Sequence, residues 1–150
     1  MPIVFVDQRI SVHSSSSGGT TTVTATPLFI GDIGIQTLAV ANTAVASDVR
    51  VALNGTVNLL GGVETVATVT LTIERNGAGI AGTGTLIYTE TFDTDGEVNF
   101  SPLSITTGDF PSLTDVNAGQ IRYTLFVASS EDITLLGPVG FNGTAVAGAN

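Results

Sequence analysis

The 150-residue sequence contains no cysteine, no tryptophan and no lysine, so four arginines are its only permanent side-chain cations. Without cysteine, neither a disulfide framework nor a thiolate-ligated metal site can form. Four scattered guanidinium groups cannot neutralise a nucleic-acid backbone, so we expect no nucleic-acid partner. Thr, Gly, Asn or Asp interrupts every apolar run well before the ~20 residues of a transmembrane helix, so we expect no membrane partner either.

Charge of either sign is scarce. Thirteen acidic residues give a formal net charge of −9, yet only 11% of the residues are charged, whereas an average soluble domain has about 25%. Hydrophobic residues make up 43% of the chain, which is too many for a disordered protein. The length suits one domain that buries roughly two-thirds of its unfolded surface.

What the sequence does contain is typical of β-structure. It has 23 threonines and many valines and isoleucines, which favour a pleated, half-buried backbone. Apolar and polar residues alternate with a period of two, for example from Val69 to Ile73 and from Ile121 to Val127. Turn signals such as Asn76-Gly77 separate these runs, whereas Asn54-Gly55 interrupts a further one, and no segment predicts a convincing amphipathic helix. We therefore predict an all-β protein, a single jelly-roll β-sandwich with an N-terminal strand-like extension.

Three segments follow from the pattern: an N-terminal connector strand at residues 1–12, a flexible Ser/Gly spacer at residues 13–22, and the jelly-roll domain at residues 23–150. We expect the connector to contact a neighbouring subunit through its apolar side chains. These are Ile3, Val4, Phe5, Val6, Ile10 and Val12. The predicted hinge consists of Ser14, Ser15, Ser16, Ser17, Gly18 and Gly19.

The connector predicts strand donation, in which the segment inserts into the sheet of the next copy. Docking on its own domain and a disordered terminus remain the alternatives. Lys and Pro commonly protect sheet edges, but the chain has no Lys and most of its predicted strands have no Pro. This favours an edge that another strand covers. A donated strand makes a head-to-tail contact, and such contacts build an open fibre unless the rotation closes a ring.

Catalytic and metal-binding motifs are weak. The single histidine, His13, lies in the spacer, where no rigid partners can hold it for catalysis, and a Ser-His-Asp triad cannot be built in the body without a second histidine. Asp93, Asp95 and Glu97 resemble a fragment of a calcium loop. No helices flank this fragment, and we interpret it as a solvated acidic turn.

The remaining carboxylates are interpreted in the same way. Asp109, Asp115 and the pair Glu131-Asp132 are expected in exposed loops. We therefore predict that the protein is not an enzyme and has no cofactor and no metal site.

Five stretches share a pattern of alternating strand residues and glycine-containing turns: Val69 to Gly77, Ile80 to Gly84, Ile87 to Phe92, Ile121 to Val127 and Leu136 to Val146. They resemble the jelly-roll domains of Bacillus-type spore-surface proteins. This family includes the C-terminal domains of exosporium glycoproteins, which have the C1q and tumour necrosis factor fold, and the subunits of endospore appendages. The similarity is one of pattern and composition over residues 25–150.

The resemblance implies a structural subunit of an extracellular, pilus-like endospore appendage, that is, a homopolymer of identical subunits. An anchoring protein on the spore surface is a further partner that it suggests. The segment before Asp7 does not form a secretory signal, and we expect release when the mother cell lyses. The alternative within the same resemblance is a trimeric exosporium or fibre-tip domain.

Two features of the family are missing. The chain has no Gly-X-Y stalk of the kind that precedes the exosporium glycoprotein domains, and its connector has no cysteine for covalent cross-links. We therefore expect a fibre that is held together by strand pairing and apolar packing alone.

Overall fold

The computed structural model of the chain describes residues 2–61, 66–96 and 99–148. Within these ranges the backbone forms nine β-strands, a 3-10 turn at Ala46–Asp48 and one short α-helix. The strands are β1 (Val4–Ser14), β2 (Thr21–Val23), β3 (Leu28–Gln36), β4 (Arg50–Leu60), β5 (Thr68–Arg75), β6 (Thr85–Asp93), β7 (Asn99–Asp109), β8 (Gln120–Ser129) and β9 (Ile133–Ala147). The helix is α1 (Leu113–Asn117).

The strands form two antiparallel sheets that pack face to face. The first sheet has the order β1-β9-β4-β7, and β2 also pairs with β9. The second sheet has the order β3-β8-β5-β6. Strands β2 to β5 and β6 to β9 alternate between the two sheets, which is the topology of a jelly roll. The predicted fold class is therefore confirmed.

The core lies between the sheets and follows the period-two pattern of the sequence. Every odd-numbered residue of β9, from Ile133 to Ala147, is buried, and the even-numbered residues face outward. In β8 the side chains of Ile121, Tyr123 and Leu125 are fully buried. Alternation of this kind buries one face of a strand and exposes the other.

Two local features differ from the sequence expectations. Asn54-Gly55 lies inside β4 and continues the strand, because the same residues pair with β7 and β9 on either side. Helix α1 begins with a capping box, in which the Ser112 hydroxyl accepts from the Asp115 backbone N–H and the Asp115 carboxylate accepts from the Ser112 backbone N–H. At five residues, the helix is too short to produce an amphipathic pattern.

Candidate assembly surface

The predicted connector forms strand β1, which occupies the edge of its own sandwich in the single chain. It pairs antiparallel with β9, from Val4 opposite Ala147 to Ser14 opposite Val139. Strand β4 lies on the other side of β9, so β1 is an edge strand. This arrangement is the self-docked alternative stated above, and in it the connector occupies the groove formed by the edge of β9 beside β3.

Inward-facing side chains of β1 link the first sheet to the second. The Asp7 carboxylate accepts a 2.7 Å hydrogen bond from the backbone N–H of Gln36 in β3. The Ser11 hydroxyl accepts a 3.2 Å hydrogen bond from the backbone N–H of Asp32, also in β3. Val6 packs against the hydrophobic core. Strand β1 therefore satisfies backbone donors on the edge of β3 as well as pairing with β9.

The protonation state of Asp7 affects this link. Partial burial raises the pKa of Asp7, but hydrogen bonds from the Gln36 backbone and the Arg9 side chain outweigh burial and hold the pKa below its ordinary value of 3.8. Arg9 Nε lies 2.8 Å from the carboxylate. Because the pKa is lower in the folded chain, this stabilisation is fully present above the unfolded pKa and is lost as the pH falls through the folded value.

We expect Asp7→Asn to weaken the docking of β1 at neutral pH by about 1.5–3 kcal/mol, because it removes a charge-assisted hydrogen bond. In the wild type, protection of the β1 amides should decrease only as the pH falls below about 3.8. In Asp7→Asn, the protection of the β1 amides should already be low at pH 6 and should change less as the pH falls. Amide hydrogen exchange measures this protection in both proteins, with the exposed Asp132→Asn as a control. Equal protection of wild type and Asp7→Asn at pH 6 would contradict this prediction.

The outward-facing side chains of β1 form an apolar surface in contact with solvent. Phe5 is 63% exposed, Ile10 is 71% exposed and Val12 is 62% exposed. Ile3 and Val4, at the start of the strand, are 58% and 43% exposed. Of the six predicted connector residues, Val6 alone packs against the core, so the other five remain available to a neighbouring molecule.

The predicted hinge lies between two strands that share one partner. Ser14 is opposite Val139 and Thr21 is opposite Leu135, so β1 and β2 follow the same edge of β9 with the segment 15–20 between them. His13 and Ser14 belong to β1, and Thr21 and Thr22 belong to β2, so the part without regular structure is shorter than the predicted spacer of residues 13–22. The strand assignment extends into the spacer because the two ends of the spacer pair with β9.

Close backbone contacts position this segment in the docked chain. The backbone N–H of Gly137 donates to the carbonyl of Gly18 at 3.2 Å. A Cβ atom on Gly19 would collide with the Leu135 carbonyl oxygen. Gly19 therefore allows the segment to pass close to the backbone of β9.

Asp109 and Asp115 are not in exposed loops, which corrects the sequence interpretation. Both Asp109 carboxylate oxygens accept from Arg75 Nη1, at 2.7 and 2.8 Å, and the Tyr123 hydroxyl donates to Asp109 at 2.7 Å. Asp115 lies 3.4 Å from Arg75 Nε. Burial, and then the Asp109 charge, raise the pKa of Tyr123 far above its ordinary value of 10.0, which keeps the phenol protonated as a donor. The sequence signal was a lone arginine at the end of a buried strand, because such a charge requires a carboxylate partner.

The other polar candidates show no common site. His13 is exposed on β1. Asp93 accepts a 2.8 Å hydrogen bond from the Thr68 hydroxyl, and Glu97 lies outside the described residues. Glu131 and Asp132 are exposed, as expected. Within the described part of the chain, no three His, Asp or Glu side chains lie close enough together to hold a metal ion.

In the same ranges, no helix has the length and apolar character needed to cross a bilayer. The chain matches no protein-family model and no curated protein sequence. Solved structures with a similar fold include those of infectious bursal disease virus.

The VP2 protein in T=1 particles of this virus (D431N mutant) has a TM-score of 0.54 and 8% sequence identity, covering 94% of this chain and 34% of VP2. The Gx strain structure has a TM-score of 0.48 and 11% identity, covering 94% of this chain and 37% of that one. The present chain therefore corresponds to about a third of the length of these proteins. At such low identity, the VP2 similarity shows a shared fold alone.

Proposed function

We propose that the protein is a structural subunit that assembles with copies of itself into a fibre by donating β1 to the β9 edge of the next copy. The observation that carries this proposal is an edge strand with an exposed apolar face that is joined to the domain through a Ser/Gly segment. The resemblance to endospore appendage subunits supports a location on the spore surface, with an anchoring protein there as a further partner. The VP2 protein described above comes from T=1 particles, which is an example of a similar fold in a protein that assembles with its own copies.

Exchange of β1 between copies is energetically inexpensive. The β9 edge and the backbone donors of Gln36 and Asp32 are identical in every subunit, so a donated strand regains each bond that it gives up. Swapping an identical element is a low-cost route to oligomers for this reason. The exposed side chains of Phe5, Ile10 and Val12 then supply apolar surface beside the neighbouring subunit.

The connecting segment is long enough for this exchange. Residues 15–20 can span about 20 Å when extended. In the docked chain they bridge a gap opposite β9 between Leu135 and Val139, which corresponds to about 13 Å of strand. The unused length allows β1 to leave its own groove and reach a neighbour. Because donor and acceptor surfaces differ, the contact repeats along a fibre or closes into a ring.

An engineered cysteine pair tests the donation, because the natural chain has no cysteine to interfere. Gln8 lies opposite Thr144 in the β1–β9 register, both on the outer face of the sheet. Directly opposite residues of an antiparallel pair lie within disulfide range. We expect oxidised Gln8→Cys/Thr144→Cys to give a ladder of covalent multimers on a non-reducing gel, since the new thiol in β1 of one chain would bond the new thiol in β9 of the next.

The same gel separates the alternatives. A band at monomer size alone would mean that β1 stays on its own domain, and it would overturn donation. A single covalent trimer would favour the closed, C1q-like form over an open fibre. The single variant Gln8→Cys is the control, and it should give at most a dimer. Deletion of β1 is a poorer test, because it exposes the β9 edge and leaves the donors of β3 without their partners.

A further inference from the structure

We infer that the outer face of the β1-β9-β4-β7 sheet is an interface at which a second copy of the chain docks face to face, about a two-fold axis. This contact is separate from strand donation. Strand β1 completes the face whether it comes from the same chain or from a neighbour, so the inference does not depend on the proposed fibre.

The face consists of three rows of outward-facing residues, each crossing all four strands. None of the twelve positions carries a charge, and none is buried. We call these twelve residues the uncharged face. The rows are Gln8–Thr144–Ala52–Gly108, Ile10–Asn142–Asn54–Thr106 and Val12–Gly140–Thr56–Ser104.

Charge makes a second copy the best-suited occupant. The chain has thirteen acidic residues and a net charge of −9, so two copies repel one another over most of their surfaces. The outer face of the other sheet, by contrast, carries the Arg122–Asp32 ion pair. The uncharged face is where two acidic molecules can approach without bringing like charges together. A polyanion would find no cluster of cations among these twelve residues.

The centre of the face is self-complementary. Asn54 and Asn142 are paired in the middle row, and an amide group can both donate and accept, so it can bond to the same amide of another copy. Beside them is a shallow cavity of about 280 Å³, lined by Ile10, Thr56 and Gly140 among others. Ile10, which is 71% exposed, lies in the same row, so a half-turn about that row brings it against Ile10 of the partner.

The uncharged face forms the centre of the contact rather than all of it. Five residues on each of four strands spaced ~4.8 Å apart cover on the order of 300 Å², whereas a standard interface buries about 800 Å² on each partner. At one rim, Phe110 and Ile3 extend the surface as the walls of a groove that Arg50 and Asp109 also line. Phe110 is 76% exposed and Ile3 is 58% exposed.

The axis also keeps the two copies of the Arg50 charge away from each other. Arg50 lies one row beyond the uncharged face, opposite Val146, and its guanidinium donates to the Gly148 carbonyl at 3.0 Å. A two-fold axis through the middle row places the two copies of Arg50 at opposite ends of the interface. Strand donation, in contrast, moves only β1 and does not require Asn54 residues to meet.

The test uses a single cysteine at the centre of the face in the full chain. Asn54→Cys is treated with a bismaleimide whose span matches the ~10 Å separation of packed sheets. We expect a covalent dimer, whereas the control Thr89→Cys, on the outer face of the other sheet, should remain monomeric. Adding Thr106→Glu to Asn54→Cys should lower the dimer affinity at least ~100-fold, because it buries an unpaired carboxylate.

The matched variant Thr89→Glu places the same charge on an edge strand of the opposite face and should leave the dimer intact. Absence of the cross-linked dimer of Asn54→Cys, or equal loss of it with Thr89→Glu, would overturn the inference. A second result would also overturn the inference. If no dimer forms, but the protein binds phosphatidylcholine vesicles and Thr106→Glu abolishes that binding, the face is a lipid-binding surface. Because strand donation is tested by the disulfide ladder of Gln8→Cys/Thr144→Cys, failure of either proposal is seen independently of the other.

Discussion

Replacing Asp109 with alanine is expected to lower the free energy of unfolding by about 3–5 kcal/mol, because it removes one partner of a buried ion pair. The side chains of Arg75 and Asp109 are only 16% and 9% exposed. The Tyr123 hydroxyl, which donates to the same carboxylate, belongs to a fully buried residue. The substitution therefore leaves a cation and a phenol without their main acceptor at the same end of the sandwich.

Urea unfolding followed by far-ultraviolet circular dichroism measures the loss. The exposed Asp132→Ala is the matched control and should change stability by less than about 0.5 kcal/mol. The triple variant Arg75→Met/Asp109→Leu/Tyr123→Phe removes the whole network. It should regain much of the stability that Asp109→Ala loses, since apolar replacements of a buried ion pair are often neutral. If Asp109→Ala costs less than about 1 kcal/mol, the network does not hold this end of the sandwich together.

The Asp109 network also illustrates what the sequence could not predict. The partners belong to β5, β7 and β8, and Arg75 is separated by 34 residues from Asp109. Nothing in the local pattern around Asp109-Phe110-Pro111 distinguishes a buried carboxylate from one in a solvated turn. The packing of one sheet on the other decides its environment, and an unaligned sequence contains no direct record of that packing.

Local patterns, in contrast, predicted most of the fold. The alternation from Val69 to Ile73 and from Ile121 to Val127 correctly indicated which side chains form the core, because burial of one strand face requires that period. Turn dipeptides were less decisive. Asn76 has a positive φ of 56° just after β5, whereas Asn54-Gly55 remains in the middle of β4 because strands on both sides pair with it.

For the assembly surface, the sequence identified the strand but not its partner. The apolar run Ile3 to Val6 predicted a strand, and β1 begins within it. The receiving edge, Val139 to Ala147, lies near the opposite end of the chain. Since every copy presents the same edge, sequence pattern cannot distinguish docking on the same chain from donation. The sequence pattern likewise does not predict the hydrogen bond from the Gln36 backbone to Asp7, because this bond depends on how the two sheets pack together.

Replacing Phe141 with alanine is expected to lower the free energy of unfolding by about 3–5 kcal/mol, because it leaves a cavity in the centre of the core. Phe141 is 1% exposed and lies on β9 directly opposite Ser11 of β1. Its ring fills the space where Gly31 has no side chain: a Cβ there would lie 2.9 Å from the Phe141 Cβ. The backbone on both sides belongs to paired strands, so the site cannot collapse easily around the missing ring.

The chain provides a matched control for this substitution, because Phe110 is 76% exposed. We expect Phe110→Ala to change the free energy of unfolding by less than about 0.5 kcal/mol, and Phe141→Leu to fall between the two alanine variants, since it retains part of the buried volume. Urea unfolding of the three variants gives the order directly. Similar losses for Phe110→Ala and Phe141→Ala would mean that the centre of the sandwich relaxes around the cavity. Because the cavity lies beneath the β1–β9 pair, Phe141→Ala should also increase hydrogen exchange at the β1 amides more than Phe110→Ala does.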